Sequence, residues 1–74
     1  MPKMTRRLVI RLLSGDYMDA LAYFANKALH IAEKQEKDLE EALWQIDEKV
    51  WPIAEDEDLS EEWLRVYSAL MCGT

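Results

Sequence analysis

From Met18 to Lys49 one row of positions repeats at alternating spacings of three and four residues: Met18, Leu21, Ala25, Ala28, Ala32, Gln35, Leu39, Ala42, Ile46 and Lys49. That spacing follows the 3.6-residue turn of an α-helix, so this half of the chain must bury one stripe against another helix. Ala22, Leu29, Glu36, Leu43 and Val50 form a flanking row. Asp19, Asn26, Glu33, Glu40 and Asp47 recur every seven residues on the opposite side. Read as heptads, the main row alternates between the two core positions of helix-on-helix packing, and its many alanines permit a close approach.

The row weakens at Glu33-Lys34-Gln35-Glu36-Lys37-Asp38, six polar residues in succession. The stretch holds no Gly, Pro, Asn or Ser to punctuate it. Glu33 with Lys37 and Lys34 with Asp38 form i,i+4 pairs of opposite charge that support a continuous helix. The expectation is therefore one long central helix over residues 16–51, with Gln35 as a polar core position setting register in a dimer. A break near Gln35, folding the chain into four helices, is the alternative. The helix is expected to end near Trp51, because Pro52 lacks an N–H and restricts the residue before it.

Shorter helices flank it. Residues 5–13 carry the i,i+4 pairs Leu8–Leu12 and Val9–Leu13, although β-branched Val9 and Ile10 leave a strand as the weaker alternative. Ser14-Gly15-Asp16 punctuates next, with Gly15 expected in a left-handed closing conformation and Asp16 as a helix cap. Residues 52–58 read as an acidic connector. A last helix over 59–72 presents Leu59, Trp63, Val66, Tyr67, Leu70 and Met71 on one face, capped by Asp58 or Ser60 and closed by Gly73. The turn and helix Ser14-Gly15-Asp16-Tyr17-Met18-Asp19-Ala20-Leu21-Ala22-Tyr23-Phe24, with Lys27-Ala28-Leu29, resemble the turn and second helix of a tetratricopeptide repeat. The likeness needs one inserted residue, covers under a quarter of the chain and has no second copy at 34-residue spacing, so it implies a well-formed helical hairpin.

The fold class is thus all-α, a single domain over residues 1–74, a helical bundle completed by dimerisation. A chain of 74 residues buries only about 60% of its unfolded surface. One cysteine, Cys72, excludes an internal disulfide. A first helix of about nine residues spans roughly 14 Å and cannot cover a ladder over 30 residues long. Self-association through Leu21, Ala25, Ala28, Ala32, Gln35, Leu39, Ala42 and Ile46 follows.

The chemistry points away from catalysis. His30 is the lone histidine, one turn from Glu33, and a zinc or di-iron site needs further ligands on facing helices. Cys72 lies near the chain end with no base beside it in sequence. Glu55, Asp56, Glu57 and Asp58 are consecutive, whereas a calcium loop alternates its ligands around a glycine. No cofactor, metal site or catalytic residue is expected. The net charge is −6, yet residues 1–31 carry five Lys and Arg against two Asp, and residues 32–74 carry four against thirteen acids. Such polarity orients an antiparallel homodimer or steers a basic protein partner, and disfavours duplex DNA. The short basic segment Arg6, Arg7 and Arg11 reads as a core helix with solvent-facing arginines, not as a membrane anchor.

Three tryptophans in so short a chain are informative, because Trp is enriched at interface hot spots. Trp44 and Trp51 share a face offset from the main ladder. Either they remain exposed for a partner, or the last helix folds back and covers them. The function expected is a small, acidic, non-enzymatic interaction module (adaptor, inhibitor or regulator). It would dock through Trp44 and Trp51, with Glu55, Asp56, Glu57 and Asp58 fixing orientation. The alternatives are an acidic mimic of nucleic acid and a purely structural dimerisation unit. With no membrane span or signal peptide in the sequence pattern and a single thiol, the expected location is cytoplasmic.

Overall fold

The computed structural model describes residues 4–73. The chain forms an all-α bundle of four helices: α1 (Arg6–Ser14), α2 (Tyr17–Gln35), α3 (Leu39–Asp56) and α4 (Ser60–Cys72). Every helix touches every other, and the α3–α4 and α2–α3 seams are the most extensive. The bundle measures 32 × 25 × 20 Å.

The expected long helix is two helices, and the backbone shows why. Glu36 adopts a left-handed conformation, with φ 53° and ψ 45°. The Lys37 N–H then reaches back to the Ala32 carbonyl at 3.0 Å. This is the six-to-one bond of a Schellman stop, with Glu36 where glycine usually stands. Two residues on, Asp38 caps α3: its side chain accepts from the Glu41 N–H at 2.8 Å. Asp38 and Glu41 carry the spacing of a capping box. The pairings Glu33–Lys37 and Lys34–Asp38, expected of a continuous helix, give way to Lys37 with Glu41 at 4.0 Å. α3 folds back on α2, and the ladder closes on itself.

That closure makes the core. Phe24, Leu43, Ile46, Val50, Val9, Val66 and Trp63 are the large side chains it buries, with Ala20, Ala28, Ala42 and Ala54 at the tight contacts. Trp63 is the centrepiece. Its ring meets Phe24 edge-on at 5.0 Å and Tyr67 at 5.5 Å, and its Nε1–H donates to Asp47 Oδ1 at 2.6 Å. Each such aromatic pair adds about 0.5–1.5 kcal/mol beyond area burial.

Three further boundaries differ from expectation. α3 does not stop at Trp51 but runs through Pro52 to Asp56. Pro52 and Glu48 are both exposed, so the Glu48 carbonyl that loses its helical donor stays in water. Val50, Ile53 and Ala54 meanwhile pack into or against the core and hold the last turn helical. The acidic connector therefore shrinks to a second Schellman stop, with Asp58 left-handed at φ 60° and the Leu59 N–H bonded to the Ala54 carbonyl at 2.7 Å. Neither Asp58 nor Ser60 caps α4, which begins without a side-chain cap bond. Gly15 is not left-handed: it sits at φ −102° and ψ −146°. A Cβ there would sit 3.0 Å from the Arg11 carbonyl oxygen. Thr5 and Asp16 cap α1 and α2, accepting from the Leu8 and Met18 N–H groups. Among the described residues no helix is long and apolar enough to cross a membrane.

Candidate interaction surface

The hairpin of α2 and α3 redistributes the residues expected at a dimer interface. Ala28, Ala42 and Ile46 are buried inside one chain. Leu21, Ala25, Ala32 and Leu39 are half-buried, and Gln35 is exposed at the hinge. Gln35 Oε1 accepts from Gln45 Nε2 at 3.2 Å, so this polar position joins α2 to α3 of the same chain. With the ladder covered within one chain, no long stripe among the described residues is left uncovered to call for a second copy.

The charge polarity is likewise used within the chain. Arg6 of α1 contacts both Asp56 and Glu57 at the end of α3. Those carboxylates raise the Arg6 pKa further above its ordinary value, through hydrogen bonds first and Coulomb attraction after. Of the four consecutive acids, Asp56 and Glu57 thus serve an internal contact, while Glu55 and Asp58 stand exposed without one among the described residues.

The two offset tryptophans part company. Trp44 is 58% exposed. Trp51 is half-buried against the core. α4 does fold back on α3, but its Trp63 and Tyr67 settle beside Asp47 instead of over Trp44. The Tyr67 hydroxyl pKa is raised by burial first, and then by the charges of Asp47 and Glu40.

A feature of three helices, invisible in any one of them, completes the surface. Ala25, Ala28 and Leu29 of α2, Leu39 and Leu43 of α3, and Ala69, Leu70 and Gly73 at the end of α4 line an open apolar groove of about 210 Å³. The alanines and the glycine leave the concavity, and Leu29 stands 50% exposed on its lip. Among the described residues no Lys or Arg lines it. Acids lie close in sequence: Glu33 follows Leu29 by one helical turn on α2, Glu36 sits at the left-handed hinge beyond it, and Glu40 follows Leu39 and acts on Tyr67, one turn before Leu70. Among the described residues, no group of three or more His, Cys, Asp and Glu is placed to hold a metal ion. Cys72 is exposed as a free thiol.

No family model, curated protein or solved structure matches the chain. The reading of function therefore rests on the surface itself.

Proposed function

We propose that this protein is a non-enzymatic interaction module that binds the apolar face of a basic amphipathic helix presented by a partner protein. The observation that carries the reading is the open apolar groove lined by Leu29, Leu39, Leu43 and Leu70, with Glu33, Glu36 and Glu40 close to its leucines in sequence. An amphipathic helix inserts apolar side chains at i, i+3 or i+4 into such a groove. Its lysines or arginines would meet the acidic rim, which raises the encounter rate and fixes direction more than it adds affinity. Trp44 supplies a second anchor on the neighbouring flank, and Glu55 and Asp58 extend the acidic field. Trp51, packed against the core from α3, is left out of the docking surface. The free thiol of Cys72 suits a reducing compartment, and we place the protein's work in the cytoplasm.

A second copy of this chain is a poorer occupant, because two acidic rims would face each other. Mimicry of nucleic acid is weakened by the use of Asp56 and Glu57 to hold Arg6. The test uses a model amphipathic peptide of Leu and Lys, titrated into labelled protein and followed by NMR. Shifts concentrated at Leu29, Leu39 and Leu70, abolished by Leu29→Asp, support the reading. An equal response to a Leu and Glu peptide overturns it, as does a solution mass of twice 8.7 kDa that Leu29→Asp returns to the monomer, since a second copy would then fill the groove.

A further inference from the structure

The opposite flank of α2 carries a second concavity of contrary character. Lys27, His30, Ile31, Lys34 and Gln35 of α2, Gln45, Ile46 and Lys49 of α3, and Met4 line a groove of about 270 Å³. Three of the chain's nine Lys and Arg converge there, and among the described residues no carboxylate lines it. In a molecule where acids outnumber bases by fifteen to nine, chance would mix the signs. Nor are these lysines engaged elsewhere: among the described residues none of Lys27, Lys34 and Lys49 makes an ion pair. The hinge is responsible. Asp38, the one acid a turn from Lys34 in sequence, turns away to cap α3. The fold leaves three like charges side by side around a partly apolar floor, an arrangement that repels itself until an anion enters.

We infer that this groove is a binding site for a small phosphate-bearing molecule, held by Lys27, Lys34 and Lys49. Phosphate suits the donor set better than a lone carboxylate. It brings about two negative charges and three acceptor oxygens near neutral pH, and lysine ammonium groups bind it as point charges. The Gln45 amide, at the Gln35 end, supplies polar capacity at one wall, and His30 lies between Lys27 and Lys34 on α2 to meet a further oxygen. Ile31, Ile46 and Met4 give apolar surface for a small organic remainder. The volume lies just under the roughly 300–1,000 Å³ of drug-sized pockets, which sets the ligand class at a phosphomonoester or diphosphate of small size.

The charge of the whole molecule decides against a long polyanion. Within a Debye length of about 8 Å at physiological salt, a small ligand feels mainly the three lysines. A nucleic-acid strand would extend over the surrounding carboxylates and be repelled. The site is thus selective for size through electrostatics alone.

The test is an NMR titration of the intact protein at neutral pH and moderate salt, with inorganic pyrophosphate as the probe. Inorganic phosphate, sodium chloride of matched ionic strength and a short single-stranded oligonucleotide are run alongside. Saturable shifts at His30, Lys27, Ile31, Gln45 and Lys49 are expected with pyrophosphate, weaker with phosphate and absent with chloride. Lys49→Gln, an exposed substitution that leaves the core intact, should weaken binding about tenfold. Lys37→Gln, a cation outside the groove, should leave it unchanged. The inference is overturned by non-saturating shifts spread over Lys37 and Arg65 as well, by equal weakening in both variants, or by tighter binding of the oligonucleotide than of pyrophosphate.

Discussion

Glycine at position 36 distinguishes the four-helix bundle from a continuous central helix by the sign of a single number. In the bundle Glu36 sits at φ 53°, where a side chain costs about 1–2 kcal/mol through its Cβ. Glu36→Gly removes that cost and restores about 0.5–1 kcal/mol of unfolded-state entropy, which works against folding. The net expected gain is about 0.5–1 kcal/mol. At roughly 4–8 °C per kcal/mol for a chain of this size, Tm rises by about 2–8 °C. Within an unbroken helix the same change would be destabilising by roughly 0.5–1 kcal/mol, because glycine is the poorest helix former after proline. Glu36→Ala is the control: alanine keeps the Cβ and its left-handed cost, so the bundle predicts little change, whereas a continuous helix predicts a small gain. Thermal and urea melts followed by far-ultraviolet circular dichroism provide the readout. A lower Tm for Glu36→Gly, with Glu36→Ala at or above wild type, would refute the hinge.

Four more substitutions probe the helix interior, the core and a buried hydroxyl. Pro52→Ala restores the missing helical donor to the Glu48 carbonyl and should raise stability, by at most the roughly 3 kcal/mol that proline costs in a helix interior; a fall in the urea midpoint would show that the proline is needed. Asp47→Ala leaves the buried Trp63 indole N–H without its partner and should cost about 1–3 kcal/mol, with an altered tryptophan fluorescence maximum; Trp63→Ala should cost about 3–5 kcal/mol, much of the stability expected for a chain this short. Tyr23 carries a buried hydroxyl with no hydrogen-bond partner, so Tyr23→Phe should stabilise by about 1 kcal/mol. Burial raises the Tyr23 pKa above its ordinary 10.0, so the unfolded chain loses that proton first and stability falls as pH climbs past 10; the variant should flatten this alkaline limb in a denaturation series, and an unchanged limb would count against the burial.

The helical class was legible because the period of three and four runs unbroken on both sides of the hinge. The hinge was hidden by residue type. A Schellman stop is usually announced by Gly or Asn, and here Glu36 and Asp58 occupy both left-handed positions. A signal was nevertheless present: Asp38 with Glu41 three residues later, just ahead of an apolar run, has the spacing of a helix start. Good helix formers and two apparent i,i+4 charge pairs outweighed it. Pro52 misled in the other direction, since its missing donor costs least where the freed carbonyl faces water, and that depends on tertiary packing. The exposure of Trp44 was not decided by its offset face, because Trp51 shares that face and is half-buried against the core. The apolar groove was not, because its lining comes from three helices whose meeting depends on the turn at Glu36. Lys27, His30 and Lys34 do share one face by their spacing of three and four. Lys49 joins them only once α3 folds back.

α2 organises the surface by separating two chemistries across its width. Ala25 and Leu29 look to one flank, toward the end of α4. Lys27, His30, Ile31 and Lys34 look to the other, toward α3. A single hydrophobic stripe could have sealed the helix equally well on both sides with mixed, self-neutralising charges, as Arg6 pairs with Asp56 and Glu57 at the far end of α3. Such neutralisation is easily available to a chain holding fifteen acids. Its absence from Lys27, Lys34 and Lys49, together with the absence of any base from the apolar groove, leaves each flank electrostatically unfinished in the opposite sense. The proposed cationic helix would complete one and the inferred small anion the other. Because both would bear on the same helix and on the hinge that positions α3, occupancy of either groove would favour the same closed packing of α2 on α3, and linkage then requires each ligand to tighten the binding of the other to the extent that this packing opens in their absence.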